Sequence, residues 1–274
     1  MPSKTIIGAP PRATQAVEDV FPGMTTNGHG RVWRIGGVML LMLLLAALFA
    51  ARPADAEPRI KVSGCNVYAT NRVDPIAFSQ HLHHHFGNTT TTNSSTGTSL
   101  VAANKTSCKA SWFTSAGWFP VARDVPLLSK NQVAVYYRAP GDQKQVRAIP
   151  TGLGIISQEV HFNSADLVTV TFPDCWDQKS LIPANMVKSR NGTCPSTHPY
   201  RIPRIFYLIR YDGTVTNETL VSTGVDSWGA YGSTMHADYF AANQPDFNDR
   251  LIDLCLRNAS DSVTVAHPDC GKGR

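Results

Sequence analysis

The stretch RIFYLIRY, from Arg204 to Tyr211, is the most apolar strand candidate of this chain. It consists largely of aromatic and β-branched residues, and Asp212-Gly213 follows it directly. Residues of these types favour β-strands, and Asp-Gly is a strong signal for a tight turn. The stretch therefore predicts a strand that ends in a turn.

Other parts of residues 57–274 show the same strand-like character. These runs are Gln132–Arg138, Gly154–Phe162, Leu167–Phe172 and the weaker Leu220–Thr223. One helix is predicted over Pro245–Asn258, where Phe247, Leu251, Leu254 and Cys255 recur at helical spacing. Because strands dominate without alternating with helices, we predict a mainly β protein. It should have a β-sandwich or jelly-roll-like core, long loops and one C-terminal helix.

The N-terminal region predicts export. Residues 1–34 lack periodicity and are expected to be disordered. Residues 35–51 form an uncharged apolar run that follows Arg31 and Arg34 and precedes Ala54-Asp55-Ala56. This pattern is typical of a secretory signal over residues 35–56, or of a membrane anchor if cleavage fails. Both alternatives place residues 57–274, expected to form one domain, outside the cytoplasm.

The cysteines agree with export. All six follow the apolar run, and an even number in an exported chain predicts three disulfides. Spacing alone does not fix their connectivity, and we expect neighbours in sequence to pair. The expected pairs are Cys65–Cys108, Cys175–Cys194 and Cys255–Cys270.

Charge and motifs exclude several classes of function. The chain has a formal net charge of +5, too mild to predict a nucleic-acid partner. It contains no Gly-rich phosphate loop, no G-x-S-x-G and no H-E-x-x-H. Nucleotide binding, α/β-hydrolase chemistry and zincin proteolysis therefore have no support from motifs.

Four of the nine histidines lie in the segment Gln80–Gly87, which reads QHLHHHFG. If this segment is extended, His81, His83 and His85 share one face and His84 lies on the other. Imidazoles grouped in this way suit metal binding or proton transfer, although a polar surface strand is the alternative. The Ser/Thr/Asn-rich residues 88–107 predict a long exposed loop that could cover the histidines. Sequons such as the one at Asn88 would mark surface loops if the host glycosylates.

Several motifs occur in an order that resembles the DUF1996 family of exported proteins. They are S-x-H-x-H at Ser79–His83, F-P-x-C-W-D at Phe172–Asp177, C-P-S-T-H-P at Cys194–Pro199 and H-x-D-Y-F at His236–Phe240. The resemblance covers about residues 72–257. It implies a secreted, disulfide-bonded domain of unestablished activity. It also supports His81, His83, Asp177, His198, His236 and Asp238 as candidate site residues.

The chain departs from the family pattern at two points. Asn185-Met186-Val187 stands where the family often has Ser-His-Met, and Gly152-Leu153-Gly154 lacks the arginine of a Gly-Leu-Arg element. If the missing residues are catalytic in the family, this member would be weakened or non-catalytic.

Two types of site are compatible with these residues. His81, His83 and His236, with Asp238, match a three-ligand site for zinc or copper. Such an ion would polarise a carbonyl or activate water. The alternative is that these histidines only form hydrogen bonds with loop carbonyls.

The second type of site is a metal-free acid/base pair. His83 or His236 would transfer the proton, and Asp177 or Asp238 would orient the histidine. Asp177 and Asp238 together could also serve glycoside hydrolysis. For Asp177 the alternative role is a turn cap beside a disulfide.

The substrate-binding candidates suggest a carbohydrate. They are Tyr137, Arg138, His198, Trp228 and Tyr231. An arginine can clamp a carboxylate, and aromatic rings suit sugars. Core packing is the alternative for the aromatic residues.

We predict a secreted or envelope-tethered protein that acts on extracellular polysaccharide through a His/Asp site. The alternative is a non-catalytic module that binds a metal or a glycan. No nucleic-acid partner is expected. Contact with a membrane is expected only through residues 35–51, if they remain uncleaved.

Overall fold

Strands form most of the regular structure in residues 59–257 and 264–265, the residues that this computed structural model describes. Three helices accompany the strands there: α1 (Gly97–Ala103), α2 (Tyr231–Thr234) and α3 (Pro245–Ile252). A 3-10 turn spans Gln143–Gln145, and a π-helical segment, Asp253–Arg257, continues from α3. The strands are β1 (Arg59–Cys65), β2 (Ala69–Asn71), β3 (His83–Gly87), β4 (Ala116–Pro120), β5 (Val133–Arg138), β6 (Gly154–Ser157), β7 (Glu159–Ser164), β8 (Leu167–Thr171), β9 (Cys175–Leu181), β10 (Ala184–Val187), β11 (Tyr200–Arg201), β12 (Arg204–Arg210), β13 (Leu220–Ser222), β14 (Trp228–Ala230), β15 (Ala237–Phe240) and β16 (Thr264–Val265).

Two larger sheets dominate the topology. The six-stranded sheet has the order β16-β1-β5-β12-β8-β7, and the five-stranded sheet has the order β2-β3-β4-β15-β6. Smaller sheets are formed by β10-β9-β11 and by β13-β14. The pairing is antiparallel except between β1 and β16. In these strand orders most neighbouring strands are not consecutive in sequence, so the fold depends on long-range pairing.

The two larger sheets pack face to face. Phe86 of β3 contacts Tyr207 of β12, with ring centroids 4.9 Å apart. The hydroxyl groups of Tyr239 in β15 and Tyr137 in β5 are 3.1 Å apart and buried. These contacts join side chains from opposite sheets across a continuous core. The predicted mainly β sandwich is confirmed.

The stretch that opened the sequence analysis lies at the centre of this architecture. In β12, Ile205, Tyr207 and Ile209 are fully buried, whereas Arg204 and Leu208 on the other face are partly exposed. Successive side chains of a strand point to opposite faces, so one face of the six-stranded sheet packs on the core and the other faces solvent.

Two of the expected disulfides are confirmed. Cys65 is bonded to Cys108, and Cys175 is bonded to Cys194. The third expected pair includes Cys270, which lies outside the described residues. The structure therefore confirms two disulfides rather than three, and the pairing of Cys255 with Cys270 stays a prediction.

The predicted long exposed loop over residues 88–107 is only partly confirmed, because most of its residues are exposed but part of it is helical. Helix α1 forms within it, because Thr96 and Ser99 make a reciprocal capping box at its start. Leu100 anchors the helix in a buried cluster with Ile76 and Trp118. Asn88 is also buried, and its side-chain amide donates to the carbonyls of Leu100 and Thr114. The sequon at Asn88 therefore does not mark a surface position.

The predicted strand over Gly154–Phe162 is divided in the structure. β6 belongs to the five-stranded sheet, and β7 belongs to the six-stranded sheet. The chain passes from one sheet to the other at Gln158, between Ser157 and Glu159. A continuous apolar and β-branched pattern does not record such a change of sheet.

The C-terminal helix begins at Pro245 as predicted, and its π-helical extension reaches Arg257. Within the part of the chain that the structure describes, no helix has both the length and the apolar character needed to cross a bilayer. The expected disorder of residues 1–34 and the expected leader at residues 35–56 lie outside the described residues.

Candidate metal centre

The alternation of β3 separates its histidines between two faces. Phe86 points into the core, and His84 shares this face, with its ring 5.5 Å from that of Phe119. His83 and His85 therefore point to the outer face of the five-stranded sheet, and both are fully buried there. His81 is buried beside them, with its ring centroid 4.1 Å from that of His83. The predicted division of the four histidines between two faces is confirmed.

Strand β15 brings the distant residues of the site to the same face. Its Tyr239 points into the core, so Asp238 and the preceding His236 point outward. Strand β4 lies between β3 and β15, and its Trp118 is paired with His85 on one side and Asp238 on the other. His83 is paired with Pro120 of β4. Continuing the same register places His236 opposite Pro120 on the far side, which is why the two imidazoles meet over this strand.

Three imidazoles converge closely enough to share an ion. His81, His83 and His236 each offer a ring nitrogen, and these nitrogens all lie within 4.8 Å of one another. The Nε2 atoms of His81 and His236 are 3.3 Å apart. Two nitrogens bound tetrahedrally to one zinc, each at about 2.0–2.1 Å, lie about 3.3–3.4 Å apart. The His81 and His236 nitrogens already have this separation, and all three ring nitrogens lie within 4.8 Å of one another.

The backbone sets the orientation of His236. Its Nδ1 lies 3.1 Å from the carbonyl oxygen of Thr234, so Nδ1–H can donate a hydrogen bond there. In that tautomer Nε2 carries a lone pair and points towards His81 and Asp238. A ring nitrogen held by a backbone carbonyl while the other faces the ion is the usual arrangement of a metal-binding histidine.

Several buried polar atoms around the histidines lack hydrogen-bond partners among the described residues. They are both ring nitrogens of His83, Nε2 of His85 and both carboxylate oxygens of Asp238. The Oδ2 atom of Asp238 lies 3.6 Å from Nε2 of His236, in ion-pair range. Buried polar groups are nearly always satisfied, and each exception calls for an explanation. Their concentration beside the three imidazoles fits a site that binds a polar or ionic ligand.

Burial sets the protonation states in this site. Burial, together with repulsion from His236, lowers the pKa of His81 to about 4. Burial, reinforced by the neighbouring imidazoles, also holds the pKa of His83 far below its usual range. It lowers the pKa of His236 as well. At neutral pH all three rings are therefore neutral, and only neutral imidazole binds metal.

The carboxyl group of Asp238 behaves in the opposite way. Burial raises the pKa of Asp238 well above its usual range, and the negative charge of Asp74 raises it further. Without a cation nearby, burial therefore favours the neutral acid form of Asp238. A bound cation would reverse this preference, because it stabilises the carboxylate.

Asp74 is a site residue that sequence reasoning missed. Its carboxylate is buried and accepts from the backbone amides of Ile76, Ala77 and Ser79 as well as from the Ser79 hydroxyl. These bonds fold the turn that leads into His81. The negative charge of Asp74 also acts on His81, His85, His236 and Asp238. The available signal was the Asp-Pro pair, which is typical of a turn initiated by an aspartate.

Two of the six residues supported by the family resemblance lie elsewhere. Asp177 is on β9 of the three-stranded sheet, and its carboxylate accepts from Lys179 N at 3.0 Å and Asn185 Nδ2 at 2.7 Å. This is the turn-capping role that was the alternative. His198 acts electrostatically on Asp177 and bonds to the hydroxyl of Thr197. The structure thus brings four of the six together, whereas Asp177 lies on another sheet and His198 lies outside the strands.

The substrate-binding candidates are dispersed. Tyr137 and Tyr231 are fully buried, and their hydroxyls pair with those of Tyr239 and Tyr211, so both rings pack in the core. Trp228 is partly exposed on β14, with the guanidinium of Arg123 5.5 Å from its ring centroid. Arg138 lies on the outer face of the six-stranded sheet, over the Phe206 ring.

Fold and site together define a disulfide-bonded β-sandwich with a buried histidine and aspartate cluster on the outer face of one sheet. The model of the family described as Domain of unknown function (DUF1996) matches residues 72–168 and 165–242. These segments cover more than half of the chain and include His81, His83, His236 and Asp238. The chain therefore belongs to the DUF1996 family. No curated protein and no solved structure matches it significantly.

Proposed function

We propose that this protein binds one transition-metal ion, zinc or copper, through His81, His83 and His236. The observation that carries the proposal is the convergence within 4.8 Å of three imidazole nitrogens, from the buried His81 and His83 and the half-buried His236. Imidazole-rich sites favour zinc and copper, and a site with three protein ligands leaves a position open for water or substrate. An ion in such a site supplies Lewis acidity to a carbonyl or a bound water.

Asp238 has the role of an acidic partner beside the imidazoles. Its carboxylate lies 3.6 Å from His236 and has no hydrogen-bond partner among the described residues, so it is available to an ion or a substrate. Its raised pKa suits it to hold a proton near neutral pH and to release the proton when a cation arrives. Asp238 is therefore the residue that we assign to proton transfer.

A second candidate function is metal-free acid/base catalysis on extracellular polysaccharide. The specific observation in its favour is the pair of His236 and Asp238, in which a buried neutral acid touches a neutral imidazole. A glycosidase pair of Asp177 and Asp238 is less well supported, because the two residues belong to different sheets. We also propose that the domain works outside the cytoplasm, which its two disulfides support.

Calorimetric titration with Zn²⁺ and Cu²⁺ tests the metal proposal. The wild-type protein should bind one ion per chain, and His83→Ala and His236→Ala should each weaken binding by more than about 100-fold. This estimate follows because even outer residues of a metal site contribute about 10- to 100-fold. His84→Ala is the matched control, since this neighbour on the same strand faces the core. The proposal fails if the folded His236→Ala variant binds as tightly as the wild type.

Polysaccharide turnover assays on the same variants separate the two candidate functions. Activity that is lost on chelation and restored by the metal would support the metal site. Activity that survives chelation and disappears in Asp238→Asn would support the metal-free pair instead. Metal binding without turnover of any polysaccharide would support a non-catalytic module.

A further inference from the structure

The solvent-facing side of the six-stranded sheet forms an open groove of about 690 Å³. Side chains from β1, β5, β12, β8 and β7 line it. Five adjacent strands spaced about 4.8 Å apart span about 19 Å across the sheet, longer than any single sugar ring. The groove is therefore extended, and its shape suits a chain rather than a small molecule.

Cationic side chains dominate the groove. They are Arg59, Lys61, Arg138, Lys188 and Arg204, and a single carboxylate, that of Glu159, lines the groove with them. Glu159 already pairs with Lys188, and Arg204 pairs with the buried Asp174 at 3.2 Å. Among the described residues, neither Lys61 nor Arg138 forms a salt bridge.

Two aromatic rings hold cations on the floor of the groove. Tyr136 and Phe206 stack with centroids 4.6 Å apart and an angle of 7° between their planes. The Arg138 guanidinium lies 5.0 Å from the Phe206 centroid, and Lys61 Nζ lies 5.8 Å from the Tyr136 centroid. The Nε atom of Arg138 is buried and has no hydrogen-bond partner among the described residues. Attraction to the ring faces thus fixes two positive charges without neutralising them.

We infer that this groove binds an acidic polysaccharide, a carbohydrate chain that carries carboxylate or sulfate groups, laid across the strands. Charge complementarity identifies the ligand as anionic, and the length of the groove identifies it as a polymer. A single-stranded nucleic acid fits less well because it binds through exposed aromatic faces. Tyr136 and Phe206 are each only 8% exposed, beneath the two cations.

The groove is independent of the metal centre. The inner faces of the two sheets pack on each other, so the groove and the histidine cluster lie on opposite outer faces of the sandwich. Loss of one site should leave the other intact. Failure of the metal proposal and failure of this inference are therefore distinguishable.

Binding to immobilised polygalacturonate at low ionic strength tests the inference, with neutral dextran and oligothymidylate as comparison ligands. The wild type should bind the polyuronate, release it as the salt concentration is raised, and show no binding to dextran. The double variant Lys61→Gln/Arg138→Gln should bind about 10- to 30-fold more weakly, from the usual contribution of a basic side chain at an anionic surface. Its thermal melt and its metal titration should match the wild type.

The matched control is Lys105→Gln/Lys130→Gln, which removes the same charge from two exposed lysines outside the groove lining. It should retain wild-type binding to the polyuronate. An equal loss of binding in both double variants would show that the effect depends on net charge alone and would overturn the inference. Failure of the wild type to bind polygalacturonate, or tighter binding of oligothymidylate, would also overturn it.

Discussion

The protonation states of single residues distinguish this site from an ordinary polar surface. His83 of β3 lies between the rings of His81 and His85, and its burial keeps the ring neutral. In the absence of a cation, burial also favours the neutral form of the Asp238 carboxyl group. The imidazoles are therefore neutral bases, and the Asp238 carboxyl group is the one expected to lose a proton when a cation binds.

This residue-scale arrangement predicts that metal binding near neutral pH releases about one proton per ion. The pKa of His81 is about 4, and those of His83 and His236 are also lowered, so the imidazoles hold no protons to lose. Calorimetry in buffers of different ionisation enthalpy measures the number. The wild type should release about one proton, and Asp238→Asn should release almost none.

The same count gives the pH dependence of metal affinity. Affinity should fall about tenfold for each pH unit below neutrality, since a single proton competes. It should fall more steeply only as the pH approaches about 4, where His81 is protonated. Release of three protons near neutral pH would show that the imidazoles titrate instead, and equal release by wild type and Asp238→Asn would show that Asp238 is not the source of the proton.

At the scale of elements, the site depends on two packing arrangements. Strand β4 separates β3 from β15 and fixes the register that brings His83 and His236 together. The turn built on the Asp74 carboxylate then positions His81 against them. A residue that binds no metal can therefore determine the geometry of the metal centre.

We predict that Asp74→Asn destabilises the protein by about 1–3 kcal/mol and weakens metal binding about 10- to 100-fold. The amide keeps the shape of the side chain, but it loses the charge and one acceptor for the turn. Urea denaturation and calorimetric titration measure the two effects. Asp177→Asn is the control, because its exposed carboxylate caps a turn on another sheet. It should leave both the stability and the metal affinity close to those of the wild type. Equal effects of the two substitutions would remove Asp74 from the site.

At the scale of the whole molecule, local patterns predicted the strands and non-local pairing determined the site. RIFYLIRY and QVAVYYR became β12 and β5 because their character as strands is visible in each segment. The meeting of His83 with His236 could only be a hypothesis, since it depends on the register of β4, which neither motif contains. Asp177 was grouped with the histidines because motif order along the chain carries no information about sheet membership.

Other failures of prediction also have physical causes. Helix α1 spans only Gly97–Ala103, and Leu100 is its only fully buried apolar side chain. The sequence therefore contains no apolar stripe that would predict this helix. Asp74 was passed over because its importance comes from burial, which an Asp-Pro turn on a surface would not share. The groove was not predicted because its cations come from several strands that are distant in sequence.

The separation of the smaller sheet from the metal centre gives a prediction for the whole molecule. Cys175→Ser/Cys194→Ser removes the disulfide that closes a segment with a sequence separation of 19 in the three-stranded sheet. The free energy of unfolding should fall by about 2–4 kcal/mol, as is usual for a loop of this length. Metal affinity of the folded variant should stay at the wild-type value. A parallel loss of metal binding would show that the two regions are energetically coupled.

An anomalous difference map from crystals grown with Zn²⁺, collected on both sides of the zinc absorption edge, tests the shared histidine site most directly. The predicted result is one strong peak at about 2.0–2.1 Å from a ring nitrogen of each of His81, His83 and His236. A well-ordered map with no peak there, or with its main peak at another group of residues, would contradict the proposed metal centre.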